Sequence, residues 1–419
     1  MRWPSDRDFF LISVAGFLRS FGTGLLGVIL GIYLSRRGYA PVWIGVVIAL
    51  GLAGSSVATT AVGLAADRLG RRRFLIILGM LTALGALGLA FSPNPGLLML
   101  AAFIGMLNAT GTDRSAAYAL EQAVIPALVP DSKRTWTLAI YNVLIDGGGS
   151  LGALIAGLPL FLENYLGIPV LQAYKFIFLG FVGISLSTSA IYWFLSPAIE
   201  VAGGHGSITK QRISPESKRI IVKLTTLFSL DAFGGGFLTD ALVSYWFFRR
   251  FGIAEHDLGI VFFVVHLLNA LSHLVAAWLA RRIGLLNTMI LTHLPSSLFL
   301  MAVPFAPSFK WAVILFFCRE ALVEMDVPTR QSYVAAVVRP NERTIVSSFT
   351  NLARNVFWAI GSAAAGLSMQ MFSFSSPLLF GGGAKVLYDI LLFKSFRALK
   401  PPEEIAGATQ GGTKLSPGG

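Results

Sequence analysis

The chain has 419 residues, of which 55% are hydrophobic and 13% charged, with a formal net charge of +12 and a mean hydropathy of +0.70. Such a composition excludes an ordinary soluble domain. The surplus of positive charge raises nucleic-acid binding as a question, which the positions of the charges decide.

Apolar stretches of about 20 residues, each long enough to cross roughly 30 Å of hydrocarbon as a helix, recur from end to end. They cover 9–35, 42–66, 74–92, 96–120, 136–160 and 170–195, then 222–248, 257–280, 285–305, 309–335, 345–371 and 377–396. The first is longer than a signal-peptide core and lacks a small-residue cleavage site, so it reads as retained. The fold class is an all-α polytopic membrane protein of about twelve helices, split six and six by the polar segment Ser196 to Lys223. The expected domains are an N-terminal bundle (1–195), a cytoplasmic central loop (196–221), a C-terminal bundle (222–399) and a disordered tail (400–419).

With the N-terminus cytoplasmic, that side collects Arg2, Arg7, Arg71, Arg72, Arg73, Lys133 and the basic residues of the central loop and tail, whereas the other side holds Arg36, Arg37, Arg249, Arg250 and Lys310. This positive-inside asymmetry accounts for the charge without nucleic acid. Both termini are expected on the cytoplasmic face, in a bacterial inner membrane. Cys318 is the single cysteine, which leaves no intramolecular disulfide and no cysteine metal site; it reads as an inert core thiol.

Between the second and third helices the chain runs GLAADRLGRRR, residues 63 to 73. This resembles the loop signature of the major facilitator superfamily of secondary transporters. The residues that match are Gly63, Asp67, Arg68, Gly70 and Arg71, and the resemblance implies a role in conformational gating. The glycines suit a close helix approach and a tight turn, and Asp67 is placed to accept from a neighbouring helix N-terminus. A weaker copy, AWLARRIG from Ala277 to Gly284, has Arg281 where the first has Asp67. A shift of 209 residues aligns Gln122 with Gln331, Arg134 with Arg343, Asn142 with Asn351, Gly152 with Gly361 and Gly157 with Gly366. The resemblance implies two pseudo-symmetric six-helix bundles that rock about a midplane substrate site and work as a monomer.

Charges inside the apolar stretches are the candidate site. Arg19 in FLRSFGTG corresponds to Asp231 in SLDAFGGG, with Phe21 matching Phe233. A lone arginine at a helix centre costs roughly 2.5–3.5 kcal/mol to insert, so Asp231 is its expected partner, either as a fixed bridge or as a pair that substrate or a proton disrupts. Asp240 is the favoured proton carrier, with Gly234, Gly235 and Gly236 able to break the helix before it. In the tenth helix Arg319, Asp326 and Arg330 lie near one face and Glu320 and Glu324 on the next, for internal pairing or proton carriage, and Pro328 should bend that helix. In the fourth, Asp113 and Arg114 are cavity candidates, and Glu121 is expected to latch onto an arginine of the 63–73 loop. Asp146 and Arg354 echo the first pair. Lys385 and Asp389, four apart, are expected to satisfy each other. His256, His266, His273 and His293 read as ordinary packing, with no metal clustering. The segment GGGSLGALIAG supplies small residues for a close helix contact.

No Walker loop, G-x-S-x-G or H-E-x-x-H is present, so neither ATP-driven transport nor common hydrolase chemistry is supported, and no cofactor or metal is expected. The reading is a secondary transporter, not an enzyme, coupled to protons, with a small-molecule substrate and the lipid bilayer as partners. Efflux of an amphipathic compound is slightly preferred, import or export of a metabolite anion stands beside it, and a non-transporting sensor or lipid-handling protein is a third reading.

Overall fold

A computed structural model describes residues 4–111, 113, 115–129, 134–200, 215–327, 329, 330, 333 and 343–396. Every regular element among them is helical. The first half comprises α1 (Pro4–Arg36), α2 (Pro41–Leu69), α3 (Arg71–Phe91), α4 (Pro95–Ile104), α5 (Ala116–Val124), α6 (Arg134–Leu154), α7 (Leu158–Leu166) and α8 (Val170–Trp193). The second comprises α9 (Pro215–Gly236), α10 (Asp240–Phe251), α11 (Glu255–Ile283), α12 (Leu285–Ala302), α13 (Phe309–Val323), α14 (Arg343–Met371) and α15 (Ser376–Phe396). Nine helical spans among the described residues are long and apolar enough to cross a membrane. The other three expected crossings coincide with α4 and α5, with α13 and with α14. Large apolar side chains such as Phe161, Trp193, Leu291 and Trp311 are exposed, as lipid-facing surfaces require.

Several boundaries differ from the expectation. The fourth crossing is broken: α4 stops at Ile104 and α5 starts only at Ala116. Polar side chains there bond the local backbone instead of a helix, with Asn108 Oδ1 accepting from the Thr110 N–H (3.0 Å) and Asp113 Oδ1 from the Ser115 N–H (3.0 Å). The seventh crossing is interrupted after its glycine triplet, between Gly236 and Asp240, as the glycines allowed. The predicted central loop is shorter than 196–221, because α9 already begins at Pro215, where proline suits a first helical turn. Residues 201–214, Pro328, Gln331 and the 400–419 tail lie outside the described residues. Cys318 is exposed, not core.

The repeat is visible in the packing. A Cβ on Gly152 would lie 1.8 Å from the Phe21 carbonyl oxygen, and one on its counterpart Gly361 would lie 2.2 Å from that of Phe233. Hence α1 meets α6, and α9 meets α14, at backbone contact. Gly70 and Gly284 likewise occupy matching turns with φ of 102° and 87°, a backbone that favours glycine. Gly152→Val should force α1 from α6 and lower stability in detergent by about 1–3 kcal/mol or more, read as a fall in the thermal unfolding midpoint. Gly63→Ala, whose new methyl would meet nothing within 4 Å, should leave that midpoint unchanged.

The halves meet along α2 with α14, α6 with α11 and α1 with α10. The contact is tight at one end only. Gly45 is pressed against Ser362 and Gly366, whereas Gly63, about five turns further along the same face of α2, faces open space. Among the described residues the halves are therefore in contact at the end carrying Arg36 and apart at Gly63, beside the 63–73 loop.

Candidate functional site

Arg19 does not pair with Asp231. It turns into its own half, where Nε meets Asp113 Oδ2 at 2.7 Å and the guanidinium reaches both oxygens of Glu121 at 2.5 and 3.1 Å. Tyr192 accepts from Arg19 Nη1 (2.6 Å) and donates to Glu121 Oε1 (2.6 Å), and Tyr141 donates to Glu121 Oε2 (2.5 Å). Glu121 is fully buried by this ring. The expected latch from Glu121 to the loop is thus replaced by a network tying α1, α5, α6 and α8. A buried guanidinium needs its donors satisfied close at hand, and two carboxylates from the broken fourth crossing do so. Arg114 lies outside the described residues.

The second half inverts the charges. Asp231 accepts from Lys385 Nζ at 2.8 Å, with Arg354 and Arg330 at 3.5 and 3.6 Å and His293 at 3.6 Å. Lys385 and Asp389 do not satisfy each other, since His293 stands between them. Its Nδ1 faces Asp389 at 2.9 Å and its Nε2 faces Lys385 at 3.2 Å. His293 and His266 are thus members of charged clusters, which ordinary packing did not anticipate; one buried histidine inside an apolar run was the only signal available. Asp326 bonds Arg330 at 2.6 Å, as the four-residue spacing predicts, while Arg319 pairs with its neighbour Glu320 and not with an acid one turn away. The tenth crossing leaves regular helix at Val323, so Glu324 caps α13.

These groups line an open pocket of about 620 Å³, a figure that includes the solvent space at its mouth. Four cations (Arg319, Arg330, Arg354, Lys385) and five carboxylates (Asp231, Asp240, Glu320, Glu324, Asp326) reach its wall, together with His266, His293, Asn269 and Trp358. Thr110, from the broken fourth crossing, brings the first half to that wall. Among the described residues the charges on this wall nearly balance, and several are paired with one another. A second pocket, between α1, α3, α5 and α8, is lined chiefly by apolar and hydroxyl side chains. Among the described residues no cluster of histidine, cysteine or acidic side chains is arranged to hold a metal ion.

The loop between α2 and α3 is tied down differently from expectation. Asp67 accepts from Arg71 Nε at 2.7 Å, and the N-terminus of α3 is capped instead by Glu200, whose carboxylate accepts from the backbone N–H of Arg71 (2.7 Å) and Arg72 (3.2 Å). Arg68 is exposed, and the Arg281 side chain lies outside what is described. At the opposite, closed end, Arg36 of α1 bridges to Glu255 of α11 at 2.8 Å, and Tyr174 donates to the same carboxylate at 2.6 Å. Arg36→Gln should loosen this inter-half contact. A loss of about 1.4 kcal/mol there raises the population with this end open about tenfold. Maleimide labelling of Ser244→Cys, buried in the interface with its hydroxyl on the Val28 carbonyl (2.7 Å), in a Cys318→Ser background, reads that change as a faster rate.

Comparison with known proteins places this geometry. The profile of the Major Facilitator Superfamily matches residues 12–248 and 224–417. An uncharacterised membrane protein of Saccharomyces cerevisiae is 26% identical over 93% of this chain and 94% of its own length. An uncharacterised transporter of that superfamily type from Methanocaldococcus jannaschii is 23% identical over 67% of this chain and 68% of its own. Among solved structures, a variant of the nucleoside transporter NupG superposes with a TM-score of 0.74 at 13% identity, over 93% of this chain and 99% of that one. A D-xylose-proton symporter gives 0.73 at 15% identity, over 93% and 97%. The loop signature, the doubled six-helix architecture and the match along both halves agree: the chain is a multi-pass membrane protein and belongs to the Major Facilitator Superfamily.

Proposed function

We propose that this transporter-family chain carries a small polar, ionisable solute by alternating access, coupled to protons, with the second-half cavity as its solute site. The single observation that carries this reading is the wall of that pocket, where nine charged side chains among the described residues converge. Such a wall favours a hydrophilic solute with a charged or strongly hydrogen-bonding group over the amphipathic compound expected from sequence. The two solved neighbours named for a nucleoside and for D-xylose with a proton lend support from fold alone.

The halves 1–195 and 222–399 move as bodies about the α2–α14 and α6–α11 contacts. The 63–73 loop end, open here, faces the cytoplasm with both termini, because the basic residues concentrate there. The chain acts as a monomer. The yeast relative extends the setting beyond a bacterial inner membrane.

Thermal unfolding in mild detergent against nucleosides, pentoses, small carboxylates, amino acids and lipophilic cations tests the substrate class. A member of the polar classes should raise the midpoint, and Lys385→Met should abolish the rise. A rise confined to lipophilic cations would contradict the reading.

A further inference from the structure

The two broken crossings meet each other across the interface between the halves. The Ala241 N–H, at the start of α10, donates to the Ala109 carbonyl in the break of the fourth crossing (3.2 Å). Just before it, Asp240 fits a cradle of first-half glycines: a Cβ on Gly27 would lie 3.2 Å from Asp240 Cβ, and one on Gly111 would lie 1.9 Å from Asp240 Oδ2. Any side chain at Gly111 would expel the carboxylate. The same Asp240 Oδ2 stands 3.3 Å from His266 Nε2 of α11. Both atoms are buried, and among the described residues neither has a hydrogen bond of good geometry; a proton held between them would satisfy both. Asp240 and His266 also border the charged cavity.

We infer that Asp240 and His266 together form the proton site, and that this site is alternately exposed because Asp240 is itself part of the clasp between the halves. The inference rests on the transport reading and names its coupling residues. With the clasp closed, the pair is reached from the cavity, and a proton arriving there binds between Nε2 and Oδ2. Opening the closed end must break the Ala241 bond and withdraw Asp240 from the Gly27 and Gly111 cradle, which turns the pair toward the opposite side, where the proton leaves. Protonation therefore changes the stability of the clasp, and clasp opening changes which side the proton can reach. The other charged groups facing the pair are Asp146 of α6, and Glu320 of α13 with its partner Arg319. Glu320 is held by that guanidinium, and Asp146 belongs to the other half.

The test requires no solute. Spin labels at Gly96→Cys and Lys310→Cys, exposed positions at the closed end of each half, in a Cys318→Ser background, report the inter-half distance in nanodiscs at a series of pH values. The wild-type ratio of closed to open populations should shift by about tenfold between roughly pH 5.5 and 8.5. Asp240→Asn and His266→Gln should each flatten that shift, whereas Glu163→Gln on α7 should keep it. A wild-type ratio independent of pH, or a shift that survives Asp240→Asn, overturns the inference. Two populations insensitive to pH would leave the transport reading standing. A single population at every pH and with every solute class would sink that reading as well.

Discussion

Arg19→Ala should cost the folded protein about 3–5 kcal/mol, because it leaves Asp113 and Glu121 buried without their cation. The loss should appear as a large fall in the thermal midpoint in detergent. Glu121 retains Tyr141 and Tyr192 as donors, but two hydroxyls do not replace a guanidinium that meets both oxygens. Adding Glu121→Gln to Arg19→Ala should therefore recover part of the stability, since it removes one of the two stranded charges. Adding Asp231→Ala should recover none. Among the described residues no ion pair joins the two clusters, so the effects of Arg19→Ala and Asp231→Ala should add to within about 0.5 kcal/mol. Strong coupling between the two positions would restore the direct pair expected from sequence.

Asp231→Asn should damage both stability and function. The carboxylate is the anion that Lys385, Arg330 and Arg354 approach together, and its neutralisation leaves Lys385 without its 2.8 Å partner while Arg330 keeps Asp326. Removing one partner of a buried charge pair typically costs about 3–5 kcal/mol of stability, read as a fall in the thermal midpoint, and the rise that a solute produces should be lost with it. Lys385→Met on top of Asp231→Asn should return much of the stability and none of the solute response. That split, measured by thermal unfolding with and without the stabilising solute, separates a structural bridge from a binding group.

The architecture was legible because its signals are local or periodic. Apolar runs give the crossings, and the glycine register Gly152/Gly361 against Phe21/Phe233 reports the same helix contact twice. The glycine triplet announced the break before Asp240. The equivalence of Arg19 and Asp231 was legible too, but their pairing was not, since rotation about a helix axis decides which neighbour a buried charge meets. Each half surrounds its own central charge with the opposite sign, the cheaper solution when a bundle must pack around it in lipid. The break in the fourth crossing was written in NATGTDRS, whose asparagine, threonine, aspartate and serine side chains compete for the backbone, yet its apolar flanks read as one span. Glu200 and His293 depended on distant segments, so nothing near them in the chain marked their partners.

The most direct measurement of solute-coupled proton movement uses proteoliposomes containing a trapped pH indicator, with the stabilising polar solute added to one side and its uptake followed in parallel. The account predicts that solute and protons move together, and that Asp231→Asn stops both. A solute that raises the thermal midpoint while neither it nor protons cross the membrane would contradict transport, and would identify a sensor built on a transporter fold.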